Sequence, residues 1–252
     1  MANLTQLRML EDLDGFLPVD KPAGIAFASV VKAVKRTFNL VKVGHGGSLD
    51  AMASGLFILL LGDANRFADR LMGADRAYEG KIRFGVKTDT GDVYGRPLAA
   101  GPVAVGADLA ARVAAALPAF RGDVFQTEPP FCTIRKEGTA AYEIADTGAH
   151  KPFLAHVYRF DVRADGTEAV PPAEAGSPAV ARFALRATKG VLPRALVRDL
   201  GDAVGCGAAL ASLRRTAVGN FDVKDAIPFD RLLTTEMKDF APCVIPLAKA
   251  SL

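Results

Sequence analysis

Apolar positions along this chain change their period several times. Phe16-Leu17-Pro18-Val19 is a short extended stretch, and Asp20-Lys21-Pro22-Ala23-Gly24 carries turn chemistry. Val30, Val34 and Phe38 recur every four residues while Lys32, Lys35 and Arg36 face away, which predicts a basic amphipathic helix capped by Ser29 and running to about Phe38. Gly44 to Ser48 reads as a backbone-permissive loop. Gly55 to Leu61 is a continuous apolar run of strand length closed by Gly62. Asp63 then caps a helix with Phe67, Leu71 and Met72 on its apolar side. Between Arg76 and Val86 the alternation is strict: Tyr78, Gly80, Ile82, Phe84 and Val86 share one face, and Glu79, Lys81 and Arg83 the other.

Further along, Thr88 to Gly95 is a turn, and an Ala-rich helix spans about Asp108 to Leu117. Phe153 to Val162 and Val180 to Thr188 are strands around a polar loop, Ala164 to Pro178, which predicts a hairpin tip. Pro193 suits the first turn of a helix that runs through Val204 and stops at Gly205. Leu210 to Val218 is another strand, and Phe229 to Phe240 a final helix. No internal repeat is visible. Irregular interleaving of strands and helices predicts an α+β fold with a largely antiparallel mixed sheet rather than a regular parallel wind.

The chain has 252 residues, half of them hydrophobic and 23% charged, enough for a sizeable core and too apolar for disorder. Its longest aliphatic or aromatic run, Leu56 to Leu61, is far short of a membrane span, and the acidic start argues against a secretion signal. Cys132, Cys206 and Cys243 are scattered, and His45, His150 and His156 have no metal-ligand spacing, so the cytoplasm is expected, with no metal and no disulfide framework. Net charge is only +3, but from Lys21 to Leu49 there are five basic residues and no acid until Asp50. Such a segment is either a solvated face or a phosphate-tracking surface beside one functional acid.

No phosphate-loop or dinucleotide fingerprint follows any glycine-rich turn, so no cofactor is expected. Ser48 and Ser54 lie outside a nucleophile elbow. Asp89 and Asp92 could share a cation or form a solvated turn. Asp50 follows a glycine-rich loop and precedes a buried strand, which suits a nucleophile or base at a sheet end as well as a plain turn cap.

The run Gly44-His45-Gly46-Gly47-Ser48-Leu49-Asp50, then Ala53-Ser54-Gly55 and Leu59-Leu60-Leu61-Gly62, resembles the H-x-G-T-L-D-P-x-A-[ST]-G…LG signature of TruB-type tRNA pseudouridine synthases. Further blocks follow in order from Phe16 to Val218. Asp20-Lys21-Pro22-x-Gly24 and Tyr78 are matched, as is Gly85 to Asp92. Phe120-Arg121-Gly122 with Gln126 is similar to the middle block, with Gly138 and Ala141-Tyr142-Glu143. Lys189-Gly190 with Arg194, Asp199-Leu200-Gly201 and Leu213-Arg214-Arg215-Thr216 are similar to the last ones. Departures are Ala51 for proline, Ser48 for threonine, Arg135 for lysine and Leu192 for a pocket tyrosine.

The resemblance implies a cofactor-free isomerisation of uridine to pseudouridine after base flipping, at position 55 of the tRNA T arm. Catalysis would rest on Asp50, paired with Arg194. His45 would fill the vacated stack, Tyr78 would stack on the uracil, and Leu192 and Leu213 would line the pocket. Lys21 and Lys189, with Lys32, Lys35 and Arg36, would meet phosphates. A single catalytic domain over residues 1–252 is expected, without the family's C-terminal PUA domain, acting as a monomer. Two other readings stay open: a synthase acting on another RNA, and an inactive tRNA-binding or tRNA-folding protein.

Overall fold

The computed structural model describes residues 13–98, 107–127, 135–136, 139–140, 152–163 and 179–249. The hairpin tip expected at 164–178, the block residues Gly138 and 141–143, His150 and Cys132 lie outside the described residues. In chain order the longer elements are β1 (Gly15–Lys21), α1 (Phe27–Thr37), β2 (Val43–His45), β3 (Ser54–Leu61), α2 (Ala68–Gly73), β4 (Arg76–Phe84), α3 (Ala107–Ala116), β5 (Gly122–Gln126), β6 (Phe153–Arg163), β7 (Ala179–Ala187), α4 (Pro193–Val204), β8 (Ala208–Val218), α5 (Phe229–Thr234) and α6 (Met237–Phe240). Contacts divide the chain into two compact units, residues 1–77 with 214–252, and residues 78–213.

In the first unit β3 is the central strand. It pairs antiparallel with β1 from Gly15↔Leu61 to Lys21↔Gly55, and antiparallel with β2. It also pairs in parallel with the last part of β8, through Arg214↔Ser54 and Arg215↔Gly55. Ile227–Pro228 adds to β1 in parallel, so this sheet is mixed. Both faces of β3 are covered, which is why its sequence is a continuous apolar run rather than an alternation. Leu56, Ile58 and Leu60 join a core with Phe16, Leu71 and Phe221. On the opposite face Phe57 packs on Phe27 and on the His45 ring. Val30 and Val34 of α1 are fully buried, and Phe38 stacks on Phe240 of α6 at 3.8 Å between centroids.

In the second unit the sheet order is β4-β7-β6-β5, with the start of β8 beside β4. Strand β6 is antiparallel to both β7 and β5. Buried Tyr78, Ile82 and Phe84 lie on one face of β4, as the alternation predicts; Gly85 turns the chain, so Val86 is outside the strand. Helix α4 starts on Pro193 and ends on Gly205, whose φ of 87° is the left-handed stop expected of glycine.

Local differences have identifiable causes. Ser29 is not a cap: its N–H and that of Val30 donate to the Ala26 carbonyl, so the first turn is already closed and α1 begins at Phe27. Part of the glycine loop is strand β2, recruited by pairing with β3. Asp63 does not cap; its own N–H donates to the carboxylate of Asp14, distant in sequence, and a 3-10 turn over Gly62–Phe67 precedes α2. Met72 is exposed, whereas Leu71 is buried. The final helix is two, since the Thr234 and Thr235 hydroxyls take the Arg231 carbonyl and Thr235 turns extended.

Candidate active site

The loop that carries Asp50 is fastened at several points within the first unit. His45 ends β2, and the Gly46 N–H donates to the Ile58 carbonyl at 2.9 Å. Leu49 and Ala53 are buried on either side of Asp50, and the Ala53 N–H closes a turn onto the Asp50 carbonyl. The Gly24 N–H donates to the Ala51 carbonyl at 2.7 Å, which ties the segment after β1 to this turn. The Asp50 side chain is half-buried at the entry to β3. Its position is therefore set by backbone on both sides rather than by a mobile loop.

Arg215 is the clamp that sequence reasoning noticed only as a block residue. It is 2% exposed. Its Nε donates to the Leu56 carbonyl and its Nη1 to the Ser48 carbonyl, each at 2.8 Å, so one planar guanidinium bridges β3 and the Asp50 loop. Beside it, Arg214 grips both carboxylate oxygens of Asp20 at 3.0 and 2.7 Å. The signal was present as Leu213-Arg214-Arg215-Thr216 and Asp20-Lys21-Pro22, but nothing local says which arginine points inward.

Lys21 corrects the phosphate assignment. Its side chain is fully buried, and its Nζ donates to the Pro22, Ile25 and Ala51 carbonyls. A lysine so placed organises the turn around Asp50 and cannot track a backbone at the surface. Burial pushes its ammonium from 10.5 down to about 8; the Asp50 carboxylate acts upward and Arg215 downward. The unfolded chain keeps the higher value and binds more protons between the two, so the contribution of Lys21 to stability improves as pH rises from about 8 to about 10.5. Compared with Lys21→Met, the wild-type unfolding free energy should gain ground over that window and stay level below it. Chemical denaturation at several pH values measures this, and a flat difference throughout would show a solvated lysine.

His45 packs edge-on against Phe27 at 5.1 Å, and its Nδ1 accepts the Gly47 N–H at 3.2 Å. That bond assigns the proton of the neutral ring to Nε2. Burial and the Arg215 charge both push its pKa below the usual value, which favours the neutral ring. Lys32, Lys35 and Arg36 are exposed on α1, as the periodicity predicts.

The second unit holds the other candidates. Tyr78 on β4 and Leu213 on β8 are 7% and 5% exposed. Lys189 is exposed next to Gly190. Leu192 is half-buried, and its backbone is held by Gln126: the Leu192 N–H donates to Gln126 Oε1 at 3.0 Å, and Gln126 Nε2 donates to the Leu192 carbonyl at 3.2 Å. Arg194 is buried; its Nη1 donates to the Thr90 carbonyl at 3.2 Å and lies 3.5 Å from Asp92 Oδ2.

Asp92 is buried rather than solvated. Its Oδ1 accepts from the Tyr94 N–H and the Thr90 hydroxyl, while Asp89 accepts the Arg96 N–H. Among the described residues no group of three or more His, Cys, Asp and Glu is placed to hold a metal ion, and no helix is long and apolar enough to cross a membrane.

Comparison with known proteins bears on this arrangement. The family description "TruB family pseudouridylate synthase (N terminal domain)" matches residues 35–164, and "tRNA pseudouridylate synthase B C-terminal domain" matches residues 194–248. A tRNA pseudouridine synthase B of Opitutus terrae is 36% identical over 96% of this chain and 96% of its own length. One from Pseudomonas paraeruginosa is 37% identical over 92% of this chain and 72% of its own. A solved chain from a Cbf5-Nop10-Gar1 complex superposes with a TM-score of 0.67 at 22% identity, covering 96% of this chain and 63% of that one, so the pseudouridine synthase fold is shared. The clamped Asp50 loop lies within the first matched region, Arg194 and Arg215 lie within the second, and the chain belongs to the TruB family of pseudouridylate synthases.

Proposed function

We propose that this protein isomerises uridine to pseudouridine in tRNA, at position 55 of the T arm, acting as a cytoplasmic monomer. The observation that carries the reading is the Asp50 loop, held by Arg215, Gly24 and Lys21 in a chain that belongs to the TruB family. The reaction breaks the N1–C1′ bond of uridine, turns the uracil and joins C5 to C1′. It gains and loses no electrons, so a carboxylate held in place is sufficient chemistry.

The target base is stacked in a folded arm and has to leave its stack before any side chain can reach C1′ or C5. Asp50 is assigned to the reacting atoms and Arg194 to charge pairing with the catalytic carboxylate, both on the strength of the resemblance. Tyr78 is assigned to stacking on the uracil, Leu192 and Leu213 to the pocket wall, and His45 to the vacated stack. The exposed cations Lys32, Lys35, Arg36 and Lys189 suit phosphate contacts, which position RNA without reading its sequence.

Incubation of the purified protein with an unmodified tRNA transcript, followed by pseudouridine mapping at nucleotide resolution, tests the proposal. One new pseudouridine at position 55 is expected. Modification confined to other positions would overturn the T-arm assignment, and no modification of any uridine in tRNA would overturn the activity.

A further inference from the structure

The second unit carries a surface that the proposed activity does not use. On β5 and β6 the large apolar side chains Phe125, Leu154 and Tyr158 are 70%, 52% and 51% exposed. Phe125 and Leu154 are directly paired across the two strands, so they form one patch. The register of β6 against β7 slips between Val157 and Arg159, which leaves Tyr158 as the extra residue of a bulge. Bulges re-aim side chains, and here Tyr158 and its neighbour Arg159 are both exposed. The Tyr158 ring meets His156 edge-on at 4.9 Å, and the Arg186 guanidinium lies 5.9 Å over it.

Charge on the same outer face is arranged against folding. Arg159 is directly opposite Arg186, and Arg163 directly opposite Arg182. Like charges facing each other across an antiparallel pair destabilise it. Asp161, between the two pairs, bonds Arg159 and Arg121 and offsets part of this cost. By strand parity Lys81 and Arg83 of β4 extend the basic face, so among the described residues seven cations, Arg121 included, stand against the three acids Glu79, Asp123 and Asp161. The buried residues Val157, Phe160, Ala187 and Leu185 occupy the opposite face, so the core does not require these arginines.

A ladder of arginines beside upright aromatic rings is the arrangement that binds a phosphate backbone and stacks its bases. We propose that this outer face of β5, β6 and β7 binds a single-stranded RNA segment, at a site separate from the one that takes the target uridine. Charge complementarity selects a polyanion, and the exposed Phe125 and Tyr158 rings select one with stackable bases. The inference stands independently of which uridine is modified.

The test uses the whole protein and a fluorescent oligoadenylate of about eight nucleotides, which offers no uridine to the catalytic residues. Binding is measured by anisotropy against salt for wild type, Arg163→Gln/Arg186→Gln and Tyr158→Ala. The double variant should weaken binding about tenfold or more and reduce the logarithmic salt slope by about 1.4. It should unfold at no lower temperature than wild type, since one arginine of each facing pair is gone. Tyr158→Ala should weaken oligoadenylate while leaving polyglutamate of equal charge unaffected. Modification of a T-arm stem-loop should be unchanged in all variants, and the stem-loop should not displace oligoadenylate. Unchanged affinity in the variants, competition by the stem-loop, equal loss of polyglutamate and RNA on removing Tyr158, or a concentration-dependent dimer that the variants abolish would each overturn the proposal.

Discussion

Asp50→Asn is expected to reduce pseudouridine formation below about one per cent of wild type, a loss of more than about 2.7 kcal/mol of transition-state stabilisation. The substitution keeps the shape of the side chain and removes the carboxylate that could attack carbon or take a proton. The loop around it has its own supports. Arg215 bridges the Ser48 and Leu56 carbonyls, and Gly24 and Lys21 hold the Ala51 carbonyl, none of them through the Asp50 carboxylate. The variant should therefore fold with a melting temperature close to wild type. Affinity for tRNA should fall by less than about tenfold, since phosphate contacts supply most nucleic-acid binding. Single-turnover assays with saturating enzyme separate the two effects. Turnover above the one per cent level would remove Asp50 from the chemistry.

Gly55→Ala should be the most damaging small substitution in the first unit. Gly55 sits at a φ of 100° where β3 meets β8 in register with Arg215. A Cβ there would fall 2.3 Å from the Arg215 carbonyl oxygen and 2.8 Å from its nitrogen. Both are backbone atoms inside a strand pair, so neither can step aside. The left-handed conformation alone costs a side chain roughly 1–2 kcal/mol. Separating the strands also pulls the Arg215 clamp off the Asp50 loop. We expect a loss of more than about 3 kcal/mol, or roughly 6–12 °C in melting temperature. Gly205→Ala provides the control, because Gly205 has a φ of 87° and nothing within 4 Å of the added carbon. It should cost only the conformational share. Equal losses for the two variants would show that the close approach at Gly55 relaxes freely.

The identity of the candidate catalytic residue was legible because it depends on a contiguous string. Glycines before Asp50, a small residue at Ala53 and an apolar run after Gly55 are local facts, and their order along the chain carries the resemblance. The supports of that residue were less legible. Nothing in a stretch of basic residues distinguishes an exposed Lys32 from a buried Lys21, since a buried cation needs acceptors that come from elsewhere. For Lys21 they come partly from Ala51, and for Arg215 from Ser48 and Leu56, more than 150 residues earlier. Asp92 is the same case: the turn pattern was correct, but its burial against Arg194 joins residues about a hundred positions apart.

What the sequence determined by itself is the set of elements whose cause is local. Strand β3 follows from an uninterrupted apolar run, β4 from a strict alternation, and α4 from Pro193 at its start and Gly205 at its stop. Backbone sterics and hydrophobic period act over a few residues, so a few residues are enough to state them. Only the tertiary structure decided that part of the glycine loop pairs as β2 and which cations face inward. The inward cations depend on carbonyl groups left over by strands and turns distant in sequence. A buried charge is tolerated only where such acceptors converge on it, and convergence exists only once the chain has folded.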